Sequence, residues 1–190
     1  MIILASQSPR RREILQRLTA DFIVCPSGAS EDIAPCAPDR YVTELASRKA
    51  SDVLTSHPGD TVVAADTIVC LDGRILGKPH DEQEARRYLR ALSGREHEVY
   101  TGVAVAYGGE IHTLCEKTSV FFRKLTDELI DQYIESREPM DKAGAYGIQG
   151  IGGRFVRRIE GDFFNVMGLP LCALSCLFES LGIDTRGGRS

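Results

Sequence analysis

Three arginines, Arg10, Arg11 and Arg12, follow the turn Ser6-Gln7-Ser8-Pro9 near the start of the 190-residue chain. Ser8 suits a helix N-cap and Pro9 the first helical position, so the arginines fall within the first turn or so. The positive end of a helix dipole disfavours cations there. Free N–H groups and guanidinium groups in one turn can together grip a polyphosphate. Arginines on a solvated surface turn are the plain alternative.

Asp66 closes a β-prone run over 61–65, a position where open sheets place ligands. Beyond it, Asp72-Gly73 between two apolar stretches is a strong hairpin signal. If Leu71 pairs with Arg74, counting back sets Thr67 opposite Lys78 and returns Lys78 to within reach of Asp66. With a bound metal, Asp66 could then activate water while Lys78 offsets phosphate charge. A strand end capped by local ion pairs is the bland reading. Glu31 and Asp32, in a loop after the second strand, are further carboxylates of the kind Mg²⁺ and Mn²⁺ favour, although an acidic solvated loop has the same spacing. Lys49 shares a helical stripe with Val42, Ala46 and Val53, so it either snorkels from the edge of that stripe or faces a pocket. The run 141–153 holds five glycines. They let backbone approach a flat ligand closely, and Gln149 within it offers a donor and an acceptor to a base edge.

These residues need elements to hold them. Apolar patterning predicts strands at 2–5, 22–25, 61–65, 68–71, 74–76, 99–107, 111–122 and 154–159. It predicts helices from 9, over 40–54, after an Asp81/Glu84 capping box, over 127–136 and over 170–181. Strands and helices mix without a regular βαβ rhythm, which predicts an α/β fold with a mixed sheet. No GxGxxG follows a strand, and neither a Walker A motif nor a Ser/Cys nucleophile motif is present. His57, His80, His97 and His112 lack zinc-ligand spacing.

A formal net charge of −4 gives no overall field toward nucleic acid polymers or anionic membranes. No apolar run reaches membrane-spanning length and no secretory signal is visible, so a cytoplasmic location with the six cysteines reduced is expected. One domain over 1–184 with a disordered tail at 185–190 is the expected organisation.

The sequence resembles the Maf family of nucleoside triphosphate pyrophosphatases. The matching blocks are ASQSPRR at 5–11, PDRYVTELASRKA at 38–50, VVAADTIV at 62–69, LGKP at 76–79, LSGREHEVYTGV at 92–103, DKAGAYGIQG at 141–150 and EGDFFNVMGLPL at 160–171. They run in order over nearly the whole chain. The resemblance implies an elongated, twisted mixed sheet flanked by helices, as in inosine triphosphatases, with the active site in a cleft. It implies cleavage of a nucleoside triphosphate between the α and β phosphates, with a divalent metal cation and homodimer assembly. The catalytic aspartate falls on Asp66. Ser8, Arg10, Arg11, Lys49 and Lys78 fall in the substrate pocket, and Glu31 joins Asp66 at the metal, with Asp32 as the substitute if the loop shifts. Specificity positions fall on Arg11, Thr67 and Gln149, and AYGIQG matches the dTTP/UTP branch. A 7-methyl-GTP pyrophosphatase and a nucleotide-binding regulator without turnover are the other readings.

Overall fold

The computed structural model describes residues 1–185. The tail expected at 185–190 lies, from 186 onward, outside the described residues. Among them, seven strands hydrogen-bond in the order β2-β1-β3-β5-β6-β7, with β4 paired to β3. These are β1 (Ile2–Leu4), β2 (Phe22–Val24), β3 (Thr61–Leu71), β4 (Arg74–Leu76), β5 (Glu96–Tyr107), β6 (Glu110–Phe122) and β7 (Val156–Glu160). β1 runs parallel to both β2 and β3, whereas the β3–β4 and β6–β7 pairs are antiparallel. The sheet is therefore mixed. The helices are α1 (Pro9–Gln16), α2 (Pro38–Ser56), α3 (Glu82–Leu92), α4 (Asp127–Glu135), α5 (Phe163–Met167) and α6 (Leu171–Leu181). No helix among the described residues is long and apolar enough to cross a membrane.

The chain packs as two compact units. The first holds Met1–Asp66, Thr101–Glu116 and the residues from Gly168 onward; the second holds Thr67–Tyr100 and Lys117–Met167. In the first unit, α2 lies on the sheet through small side chains. Ala46, Ala50 and Val53 meet Ile3, Ala5, Val62, Ala64, Ala104 and Ala106, all buried. Closest approach is at Gly102 on β5, where an added Cβ would stand 2.4 Å from the carbonyl carbon of Val42 and 2.5 Å from its oxygen. A glycine inside a strand marks such an approach of backbone to backbone. Gly102→Ala should destabilise the protein by about 1–3 kcal/mol, because the helix backbone, unlike a side chain, cannot turn away. A fall in the urea midpoint at unchanged slope is the expected measurement, and an unchanged midpoint would refute it.

In the second unit, a core of Leu89, Leu92, Val99, Val120, Phe122, Ile130, Tyr133, Tyr146 and Phe155 joins α3 and α4 to the strands. The hairpin expected at Asp72-Gly73 forms, with Leu71 paired to Arg74 and positive φ at both turn residues (50° and 75°). Asp81 caps α3 by accepting the Glu84 N–H at 2.7 Å.

Two local expectations are corrected. Asp66 does not end a strand: β3 runs unbroken from Thr61 to Leu71, and Asp66 lies in its middle. An aspartate is disfavoured in a strand by its own preferences, and here its carboxylate is met by a lysine from α2. The hairpin ladder does not reach Lys78. It stops at the Val69–Leu76 pair, and the Gly77 carbonyl instead accepts the N–H of Gly144 at 3.1 Å. Lys78 is exposed just beyond that bond, on a segment tied to the glycine-rich loop.

Candidate active site

Side chains on β3 alternate between the two faces of the sheet, so Val62, Ala64 and Asp66 point to one side. That is the side covered by α2, whose buried stripe is Val42, Leu45, Ala46, Ala50 and Val53. Lys49 falls on the same stripe. Its ammonium donates to the Asp66 carboxylate at 2.7 Å, and both side chains are nearly buried, at 13% and 14% exposure. The two readings of Lys49 are thus separated, because it faces a charged cluster rather than snorkelling. Its Nζ also lies 2.6 Å from Oε1 of Glu31. Two carboxylates from separate segments converge on one ammonium.

The loop carrying Glu31 is fixed to the same helix on both sides. Asp52 accepts from the Ser27 hydroxyl at 2.7 Å and the Gly28 N–H at 2.8 Å. Arg48 donates to the Asp32 carbonyl at 2.9 Å. Arg48, Lys49 and Asp52 occupy one side of α2, so Glu31 meets Lys49 between two clamps. Asp32 engages the helix through its backbone, and its own N–H bonds to the Ser30 hydroxyl at 3.2 Å.

Arg11 approaches from α1. The Ser8 hydroxyl oxygen accepts the Arg11 N–H at 3.4 Å, which is the expected N-cap, with Pro9 at the first helical position. The Arg11 guanidinium donates through Nε to the Gly168 carbonyl at 2.8 Å and through Nη1 to the Ser6 hydroxyl at 3.3 Å. Ser6, itself buried, also accepts the Ser8 N–H at 3.2 Å, so one hydroxyl orients both the turn and the guanidinium. Burial lowers the Arg11 pKa. Asp66 and Glu31 act against that shift, while Arg10 adds to it. Arg11 therefore shares its electrostatic surroundings with both carboxylates, and Arg10 is a charged neighbour.

Tyr41, which no motif in the sequence marks by itself, shares the electrostatic surroundings of this cluster. Burial raises its phenol pKa first, and Asp66 and Glu31 raise it further. It remains a protonated phenol within the field of the two carboxylates. The signal was present in the spacing Tyr41, Leu45, Lys49, an i, i+4, i+8 series on one helix face.

Thr67, Lys78 and Gln149 belong to the second unit. Thr67 is half-buried on β3, and Gln149 is exposed on the turn 147–150, which a bond from the Gly150 N–H to the Gly147 carbonyl closes. The glycine-rich run is a series of short 3₁₀ turns, with Gly144 at φ 65° pressed onto Val69.

Among the described residues, no three His, Cys, Asp or Glu side chains are grouped as a metal cage. The donor set of Asp66 and Glu31 is all oxygen and matches the way Mg²⁺ is commonly held, by one or two carboxylates with water and substrate phosphates completing the shell.

Taken as a class, this is a mixed α/β protein with carboxylates, a lysine and an arginine gathered on the helix-covered side of a strand. Its fold is similar to that of the Staphylococcus aureus Ham1 protein, with a TM-score of 0.54 at 15% identity, covering 94% of this chain and 98% of that one. The chain belongs to the Maf-like protein family, whose profile matches residues 1–181. It is 55% identical over 171 residues to the dTTP/UTP pyrophosphatase of Thermococcus onnurineus, covering 90% of this chain and 92% of the relative. The dTTP/UTP pyrophosphatase of Halalkalibacterium halodurans is 48% identical over 186 residues, with 97% and 98% covered. That of Pyrococcus furiosus is 51% identical, with 94% of each covered.

Proposed function

We propose that this chain hydrolyses dTTP and UTP to the corresponding monophosphate and pyrophosphate. The observation that carries the reading is the convergence of Asp66 and Glu31 on Lys49 beside Arg11. Relatives named for this activity, at 48% and 55% identity, support the choice of substrate. The family match runs through both units, and residues 1–184 are taken as one domain.

Asp66 and Glu31 would hold a divalent cation, Mg²⁺ or Mn²⁺, whose chemistry when bound is to neutralise and polarise phosphate oxygens. Asp66 orients the water that attacks the α-phosphorus. Ser8, Arg10, Arg11, Lys49 and Lys78 bind the phosphates by charge and hydrogen bonds. The bond between the α-phosphorus and the bridging oxygen breaks, and pyrophosphate leaves with its charge balanced by these cations. Tyr41, kept neutral, can donate a hydrogen bond to a carboxylate or a phosphate oxygen. Gln149 reads the base with one acceptor and one donor, the pattern that uracil and thymine present in complement. Thr67 and Arg11 complete the specificity positions. A cytoplasmic setting and homodimer assembly belong to the same reading.

A kcat/KM series over dTTP, UTP, CTP, GTP, ATP and 7-methyl-GTP tests it. dTTP and UTP should lead CTP by about tenfold or more, because a mismatched base edge leaves buried polar groups unpaired. A lead for 7-methyl-GTP would sink the assignment. Binding without pyrophosphate release would favour a regulator.

A further inference from the structure

The glycine-rich turn that carries Gln149 is wrapped around a single carboxylate. Glu138 lies on the short 3₁₀ turn Glu138–Asp141 that follows α4. Its Oε2 accepts the N–H of Ile151 at 2.8 Å, and its Oε1 accepts the N–H of Gly152 at 3.0 Å. Oε1 also accepts the Tyr133 hydroxyl proton at 2.8 Å, and the same hydroxyl oxygen accepts the Gly147 N–H at 3.2 Å. Backbone on both sides of Gln149 is thereby tied to Glu138, directly after it and through Tyr133 before it.

The glycines make this wrapping possible. A Cβ at Gly150 would stand 2.5 Å from both Glu138 carboxylate oxygens, and one at Gly152 would stand 2.6 Å from the Tyr133 hydroxyl. One at Gly147 would meet the Lys142 side chain at 2.8 Å. Lys142 closes the stem by donating to the Glu138 carbonyl at 2.7 Å. Glycine-rich backbone loses more freedom on ordering than any other, so a turn of this composition needs strong anchors. Hydrogen bonds to an ionised carboxylate are of that kind. Burial raises the Glu138 pKa, but the N–H groups of Gly152 and Ile151, the Tyr133 hydroxyl and Lys142 outweigh it, and the group titrates below the usual range. Gln149 is exposed, so the anchored backbone on either side of it sets the place from which its side chain reaches out.

We propose that Glu138 is the positioning residue of this turn and that, through the Ile151, Gly152 and Tyr133–Gly147 bonds, it fixes Gln149 for selection of the pyrimidine base. The proposal rests on the reading of Gln149 as the base-reading residue. It adds Glu138 and Tyr133, two residues that need not touch the nucleotide, to the determinants of specificity.

The test compares kcat/KM for UTP and CTP in the wild type, Glu138→Gln, Gln149→Ala and the double variant. Glu138→Gln keeps the shape but turns an amide toward N–H donors. It should lower the UTP:CTP ratio about tenfold, mainly through KM for UTP, and the double variant should fall no further than Gln149→Ala, as expected for residues acting as one unit. Amide hydrogen exchange at Gly147, Ile151 and Gly152 should speed up in Glu138→Gln. A Glu138→Gln protein that keeps the wild-type ratio, while Gln149→Ala loses it, overturns the proposal and leaves the base reading standing. An unchanged ratio in Gln149→Ala overturns the base reading, and the proposal with it. If Glu138→Gln does not fold, Tyr133→Phe decides: a drop in the ratio of about threefold supports the proposal and an unchanged ratio overturns it.

Discussion

Asp66→Asn should leave the protein folded and lower kcat by roughly 10²–10⁴-fold, the equivalent of about 3–5 kcal/mol of transition-state stabilisation. The amide has the shape of the carboxylate but not its charge, so it neither balances a cation nor orients water for attack on phosphorus. The fold should survive for a reason visible in the cluster. Lys49 keeps Glu31 as a partner at 2.6 Å when Asp66 loses its charge, so no ammonium is stranded. A buried charge left alone would be far more damaging, at about 3–5 kcal/mol. The measurements are kcat under saturating Mg²⁺ or Mn²⁺ and the unfolding midpoint of the same sample. Near-wild-type kcat in a folded variant would remove Asp66 from the chemistry. A variant that fails to fold would show that the Asp66–Lys49 pair is structural first.

The parts of this cluster differ in how far the sequence announces them, and the difference is physical. Ser8 and Pro9 fix the start of α1 by local rules of capping and φ, so Arg11 is placed on a helix without any knowledge of the rest of the chain. The same holds for the Asp72-Gly73 turn, whose two positive φ values those residue types favour. Asp66 reads as a strand end because an aspartate interrupts an apolar run, and what overrides that preference is a lysine 17 residues away. Such pairing is tertiary and leaves no local mark. The pairing of Thr67 with Lys78 does not form, for a related reason. Counting along a hairpin assumes that the ladder continues, whereas Gly77 gives its carbonyl to Gly144 of a segment far along the chain. Gly102 carries a signal of its own, a glycine inside a strand, which apolar periodicity does not register. The short helix α5, Phe163–Met167, has too few residues to show a period.

His97 predicts a second large effect, on stability rather than turnover. It is 2% exposed on β5, and its ring lies edge-to-face against Phe122 and Tyr146 with centroids 4.9 Å and 5.4 Å away. Nε2 and the Tyr146 hydroxyl are 2.8 Å apart, while Nδ1 is buried with no hydrogen-bond partner. Protonation would put an N–H on both nitrogens, one of them facing no acceptor, and bury the charge among rings. Burial accordingly lowers the His97 pKa to about 4. In the unfolded chain a histidine titrates near 6.5. Above that pH both states are neutral and His97 adds no pH dependence. Between about 6.5 and 4 the unfolded state binds a proton that the native state refuses, so stability falls as pH falls, by on the order of 3 kcal/mol over the window. Below about 4 the native state is protonated too, and this contribution levels off. The Tyr146 phenol, its pKa raised by burial, stays neutral throughout. His97→Gln keeps a polar partner for Tyr146 and removes the titration. Urea unfolding of both proteins between pH 7.5 and pH 4, with the difference plotted against pH, isolates His97 from every other titrating group. The wild type should lose about 3 kcal/mol relative to the variant across that range. Parallel curves would mean that His97 already holds its proton in the native state, or that water reaches Nδ1 and satisfies it.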